Sequence, residues 1–116
     1  MNNTDTPRYL STESNIELDP EGYLVDLSDW SETVAGQLAD DEGIELTPEH
    51  WEIINLVRSF YARYEMAPAM RPLVKATQRS LGEEKGRSIY LMRLFPGSTA
   101  KVVARIAGLP KPTNCL

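Results

Sequence analysis

Cys115 is the only cysteine among 116 residues, and it closes a run that reads Leu109-Pro110-Lys111-Pro112-Thr113-Asn114-Cys115-Leu116. A free cysteine is ordinarily a buried, inert apolar residue. Here two prolines one residue apart preclude a helix and stiffen the run into an extended arm, so this thiol is not core filler. The thiolate is the reactive form, and a free thiol ionises near ~8.5. The adjacent carboxylate of Leu116 disfavours the thiolate by like-charge repulsion. Arg71, Lys75, Arg87, Arg93 or Lys111 would oppose that effect if the arm lay across them. A nucleophile on a tether suits handing an atom between proteins better than chemistry in a fixed pocket. The plain alternative is an incidental thiol on a frayed end.

Other chemistry-bearing residues are few. His50 is the only histidine, which makes a Cys–His nucleophile pair formally available. It falls in the first turn of a predicted helix beside Glu49, which argues for a surface or capping residue. Trp51, Tyr61 and Tyr64 recur at helical spacing and read as core or interface, not as a platform for stacking bases. One cysteine and one histidine can form neither an intrachain disulfide nor a structural zinc cluster, so no metal is expected. No glycine-rich phosphate loop, paired metal-ligand motif or G-x-S-x-G occurs, and no resident cofactor is expected.

Charge divides the chain. Residues 1–66 carry 15 acidic and 3 basic side chains, whereas residues 67–116 carry 2 acidic (Glu83, Glu84) and 9 basic ones. Such a split suggests two faces with different partners, or two halves that attract each other within one fold; the readings are compatible. The basic segment Arg71 to Arg105 contains two short predicted helices joined near Gly82, a pattern shared with helix-turn-helix regulators. The acidic half would repel a polyanion, so direct nucleic-acid binding is not the favoured reading.

The elements that must position Cys115 follow from local signals. Length makes this one domain, able to bury about two-thirds of its unfolded-chain surface. Residues 1–15 read as a flexible tail. Around Asp19-Pro20-Glu21-Gly22, apolar Ile16, Leu18, Tyr23 and Val25 predict a hairpin over Ile16 to Asp26. Asp29 with Glu32 predicts a capped helix that runs to about Glu42 and stops at Gly43. Thr47-Pro48-Glu49 is a stronger helix start, and its helix is expected to bury Trp51, Ile54, Val57, Tyr61 and Tyr64. Further helices are predicted from Pro72 to Gly82, from Lys85 to Leu94, and from Ser98 to Gly108. The expected architecture is mainly α: a compact orthogonal helical bundle over residues 16–108 with a small N-terminal β-hairpin, and an extended C-terminal arm, residues 109–116, carrying the cysteine. The polar N-terminus lacks a signal-like run and no stretch approaches the ~20 apolar residues of a membrane span, so the expected location is cytoplasmic, without a membrane partner.

Several segments together resemble the TusE/DsrC family of sulfur-relay proteins. They are Glu83-Glu84-Lys85-Gly86-Arg87-Ser88, Tyr90-Leu91, Leu94-Phe95-Pro96-Gly97 and the tail from Ile106 to Leu116, with Asp19 to Leu24, Trp30-Ser31, Glu42-Gly43-Ile44, Thr47 to Trp51, Phe60-Tyr61 and Pro68 to Arg71 followed by Leu73-Val74-Lys75. The resemblance spans roughly residues 16–116. It implies orthogonal helices with an N-terminal hairpin, and a sulfurtransferase role in which Cys115 transiently holds sulfane sulfur as a persulfide. One branch takes sulfur from a relay complex and passes it to the thiolase that makes wobble 2-thiouridine in tRNA. The other docks its arm into dissimilatory sulfite reductase and uses a second cysteine eleven residues before the last. That position is Ala104 here, which favours the single-cysteine branch and argues against the sulfite-reductase role. By family position and charge, Arg71, Lys75, Arg87 and Lys111 are the candidates to stabilise the bound anion. Thr99 stands where the family has proline. Two other roles compete: a DsrC-like regulatory or interaction partner in sulfur metabolism, and a nucleic-acid-binding regulator.

Overall fold

The computed structural model describes residues 7–113, so Cys115 lies outside the described residues. Two strands, β1 (Arg8–Tyr9) and β2 (Glu17–Leu18), precede five helices: α1 (Glu32–Asp41), α2 (Pro48–Tyr64), α3 (Met70–Leu81), α4 (Ser88–Leu94) and α5 (Thr99–Ile106). The mainly helical bundle with an N-terminal hairpin is the architecture the sequence predicts.

The hairpin differs in its partner. Arg8 pairs with Leu18 and Tyr9 with Glu17 in antiparallel register, so part of the segment read as a tail is a strand. Leu18 also bridges Leu24 on its other side. The predicted Asp19–Gly22 turn is therefore present, joining β2 to a single bridge residue. Asp19 Oδ1 accepts from the N–H groups of Glu21 and Tyr23, both at 2.9 Å, and Gly22 takes φ 92°. A two-residue polar strand has no hydrophobic alternation to betray it.

Ser31, not Asp29, caps α1: its side chain accepts from Val34 N–H at 3.2 Å. Residues Leu27–Asp29 form a short 3-10 turn capped by Asp26, whose carboxylate is held below its ordinary pKa by the hydrogen bonds from Ser28. At α2 the expected cap is present, with histidine in the place usually taken by Glu or Gln. Thr47 N–H donates to His50 Nδ1 at 3.1 Å while His50 N–H donates to Thr47 Oγ1 at 3.5 Å. The other ring nitrogen, Nε2, donates to the Leu94 carbonyl at 2.7 Å and ties α2 to the end of α4. His50 is thus a capping residue, but a buried one, packed edge-on against Phe95.

The buried stripe of α2 is His50, Ile53, Ile54 and Val57. Trp51 and Tyr61 are half-buried and Tyr64 is exposed, so the predicted stripe is rotated by about one residue. Only the i, i+3, i+4, i+7 set faces one neighbour squarely. α4 starts at Ser88, three residues after the predicted Lys85, because Gly86 packs on α3: a Cβ there would sit 2.7 Å from Gln78 N.

α5 occupies the centre, against α1, α2 and α3. Every residue from Val102 to Leu109 is buried, Ala104 among them. Thr99 opens α5 at its first helical position, and its hydroxyl donates to the Phe95 carbonyl at 2.8 Å.

Candidate functional site: the arm and its surround

An arm that presents a reactive tip must leave the core at a defined place. α5 is eight residues long and its last carbonyls lack helical partners. Two side chains supply them. Trp30 Nε1 donates to Ile106 O at 2.9 Å, and Arg58 Nη1 donates to Ala107 O at 2.7 Å. The Arg58 guanidinium also lies 3.7 Å from the centroid of the Trp30 ring, a cation–π stack. Burial pulls the Arg58 pKa down from its ordinary value, and the positive end still suits the negative terminus of the α5 dipole. Gly108 then turns the chain at φ 74°, and a Cβ on it would fall 2.8 Å from Trp30 Cβ, on top of closer ring contacts. A side chain cannot occupy that point without displacing the indole. Trp30, Arg58 and Gly108 form a clamp at the root of the arm.

Beyond the clamp, Leu109 and Pro112 are buried and Pro110, Lys111 and Thr113 are exposed. Leu109 N–H donates to Ala104 O at 2.9 Å. Lys111 Nζ is 2.7 Å from Glu21 Oε2 in the hairpin turn. The arm is therefore moored along its length up to Thr113. Thr113 lines a surface depression of about 770 Å³ with Met66, Met70, Arg71 and Ser88. Arg71 is exposed in the first turn of α3 and has no ion-pair partner among the described residues.

The four predicted cations are thus not in one cluster. Arg71 shares the depression with the arm. Lys75, one turn further along α3, lines a neighbouring groove. Arg87 is exposed at the N-cap of α4, next to Ser88 of the depression. Lys111 is on the arm itself, in its pair with Glu21. The His50 ring is engaged on both nitrogens, between Thr47 and the Leu94 carbonyl. Among the described residues no group of His, Cys, Asp and Glu is placed to hold a metal ion.

The sequence reading missed the clamp. Nothing in spacing links Trp30 to Arg58 across two helices. It also counted Arg105 with the basic segment, whereas the structure buries it. Arg105 Nε donates to Gly22 O at 2.8 Å, and its two terminal nitrogens meet Asp41 and Glu42 at 2.6 Å each. Burial alone would lower its pKa; its hydrogen bonds to the Glu42 and Asp41 carboxylates outweigh that and the net shift is upward. A lone arginine within the apolar run Val102–Ile106 was the available signal.

Comparison with known proteins places this geometry. The profile of the family described as DsrC like protein matches residues 11–116. The sulfurtransferase TusE of Escherichia coli strain K12 is 54% identical over 101 residues, 87% of this chain and 93% of that protein. The sulfurtransferase TusE of Yersinia pseudotuberculosis serotype I is 52% identical over 101 residues, covering 87% and 94%. Among solved structures, the NMR structure of Allochromatium vinosum DsrC superposes with a TM-score of 0.81 at 49% identity, over 91% of this chain and 95% of that one. The oxidized gamma-subunit of the dissimilatory sulfite reductase (DsrC) from Archaeoglobus fulgidus gives a TM-score of 0.75 at 40% identity, over 87% and 92%.

Proposed function

The chain belongs to the DsrC-like family, and from that premise we propose that it is a sulfur carrier that accepts sulfane sulfur as a persulfide on Cys115 and passes it to an acceptor protein. The observation that carries this reading is the family match through residue 116, which includes Cys115, together with identity above one half to proteins named sulfurtransferases. The transfer is ordinary thiol exchange. The Cys115 thiolate attacks the outer sulfur of a donor persulfide. A bond forms between the two sulfurs as the donor's S–S bond breaks, and the donor's inner sulfur departs as a thiolate. The outer sulfur moves at constant oxidation state, so no external oxidant or reductant is required. An acceptor cysteine then repeats the attack on the Cys115 persulfide.

Within this reading Arg71 faces the bound anion. Covalent geometry alone keeps Cys115 within about 7 Å of Thr113, the span of two extended residues, and Thr113 lines the depression that holds Arg71. Arg87 and Lys75 contribute positive potential from further off, and Lys111 does so from the arm. A cation beside a sulfur anion favours the charged form.

The destination we propose is the relay that thiolates the wobble position of tRNA, with a sulfur-donor complex upstream and a 2-thiouridylase-type acceptor downstream. Ala104, buried in α5, leaves Cys115 without the second thiol that a sulfite-reductase partner would use. No helix among the described residues is long and apolar enough to cross a membrane; the cytosol is the compartment proposed for the relay. The test is intact-mass spectrometry after incubation with a cysteine desulfurase, cysteine and the donor complex. Wild type is expected to gain one sulfur atom, reversed by reductant, and Cys115→Ser none. Sulfur transfer retained by Cys115→Ser would refute the mechanism.

A further inference from the structure

A carrier needs a surface on which a partner rests while sulfur changes hands, and the molecule has a second depression suited to that. Its walls are the C-terminal half of α2 and the length of α3, and its volume is about 610 Å³. The floor is apolar, with Leu56, Phe60 and Leu81. The rim is cationic, with Arg63, Lys75 and Arg79. All three cations are exposed and in no ion pair with any described residue. Glu52 is the one acid on the lining, and it is occupied by Lys85 at 2.7 Å. Phe60 and Pro72 line both this groove and the depression that receives Thr113, so the two form one track that leads to the arm.

We infer that the α2–α3 groove is the docking site for an acidic amphipathic segment of a sulfur-relay partner protein. The inference rests on the carrier reading and adds the chemistry of the partner. From Asn55 to Tyr64 the α2 wall is ten residues, or about 15 Å, enough for two to three turns of a partner helix. Apolar side chains of that segment would face Leu56, Phe60 and Leu81, and its carboxylates would meet Arg63, Lys75 and Arg79. No segment of the chain outside the described residues has this character. Residues 1–6 contain one acid, Asp5, and the last three residues contain none in their side chains. A nucleic acid fits less well, because the chain's net charge of −5 repels a polyanion. Rim charges act mainly on encounter and on salt dependence, as suits a partner that must leave after each transfer.

The probe is a fluorescein-labelled helical peptide with Leu along one face and Glu along the other, with a Lys-for-Glu peptide and labelled tRNA as comparators. Fluorescence anisotropy is expected to show binding of the Glu peptide that weakens with salt. It should fall about tenfold or more in Arg63→Glu/Arg79→Glu, which leaves the cations assigned to the carrier thiol in place. Persulfidation of Cys115 by glutathione persulfide should be unchanged in that variant, and circular dichroism should show the same helix content. Four results would overturn the inference: no binding of the Glu peptide, equal binding of the Lys peptide, no loss in the double variant, or tRNA binding that the double variant abolishes. Self-association at the same concentrations, lost in the variant, would assign the groove to a second copy and overturn it as well. If glutathione persulfide fails to modify wild-type Cys115, the carrier reading fails first. Peptide affinity and thiol modification are separate readouts, so the two failures are distinguishable.

Discussion

Two populations of positive charge differ in what surrounds them. Of the nine cations in residues 67–116, Lys85, Arg105 and Lys111 pair with Glu52, with Asp41 and Glu42, and with Glu21, all acids of the first 66 residues. The other six, Arg71, Lys75, Arg79, Arg87, Arg93 and Lys101, make no ion pair with any described residue. Both readings of the charge split therefore hold, for different residues. The first set joins the acidic half to the basic half; the second is left facing outward, with Arg71, Lys75 and Arg79 along the track to the arm. Of the paired cations only Arg105 is buried, at 7% exposed; Lys85 and Lys111 pair near the surface, where Arg71 and Lys75 also lie. A charge removed from water must be matched inside the fold, while an exposed one is already solvated and remains available to a partner.

Truncation at each site sharpens this contrast. Arg105→Ala has the largest expected effect, a loss of about 2–4 kcal/mol in chemical denaturation, because Gly22 O loses its donor and a packed side chain disappears. Arg105→Met should recover part of that loss, since Asp41 is half exposed and rehydrates. Recovery to wild-type stability would show that the ion pairs add nothing beyond packing. Arg58→Ala comes next, at about 1–2 kcal/mol, from the bond to Ala107 O and the Trp30 stack. Its distinguishing readout is the arm: hydrogen exchange of the Leu109 amide, which donates to Ala104 O, should accelerate more than global unfolding does.

Lys85 lies between the two sets, paired and half-buried. The hydrogen bond to Glu52 raises its pKa above 10.5, so its contribution to stability is complete below that value and disappears as pH rises through the raised one. The difference in Tm between wild type and Lys85→Met should accordingly be small near neutrality and vanish in strong alkali; a difference that grew with pH would reverse the sign of the pairing. Smallest of all, Arg71→Ala, Lys75→Ala and Arg87→Ala are each expected to stay within about 0.5 kcal/mol of wild type. On the placement proposed for the carrier thiol, Arg71→Ala should instead move the midpoint of the pH dependence of Cys115 alkylation upward, because a cation is lost from the depression. An unmoved midpoint would take Arg71 out of the site.

Much of this arrangement was legible in the residues. Thr47-Pro48-Glu49 marks the start of α2, Gly43 and Gly82 end their helices, and the two prolines after Leu109 mark an arm, because each signal is local and acts through backbone geometry. What was not legible depends on contacts far apart in sequence. The partner of β2 is Arg8–Tyr9, a strand too short to show alternation. His50 is buried because Leu94 and Phe95 meet it from 44 residues away and beyond. Trp30 and Arg58 converge on the end of α5 by tertiary packing alone. Arg71 and Lys75, drawn from family position and charge, fall along one track, whereas Lys111 is turned toward Glu21.

The mooring of the arm at Leu109 and Pro112 has a kinetic meaning. Thr113 lines the depression, and two residues of chain give the proposed carrier thiol a reach of about 7 Å from it. A tether that short gives the proposed persulfide an effective concentration of about millimolar for a group docked at the edge of the depression. For an acceptor docked there the attack becomes intramolecular, so its advantage over a thiol in solution would come from a held position and not from a lid.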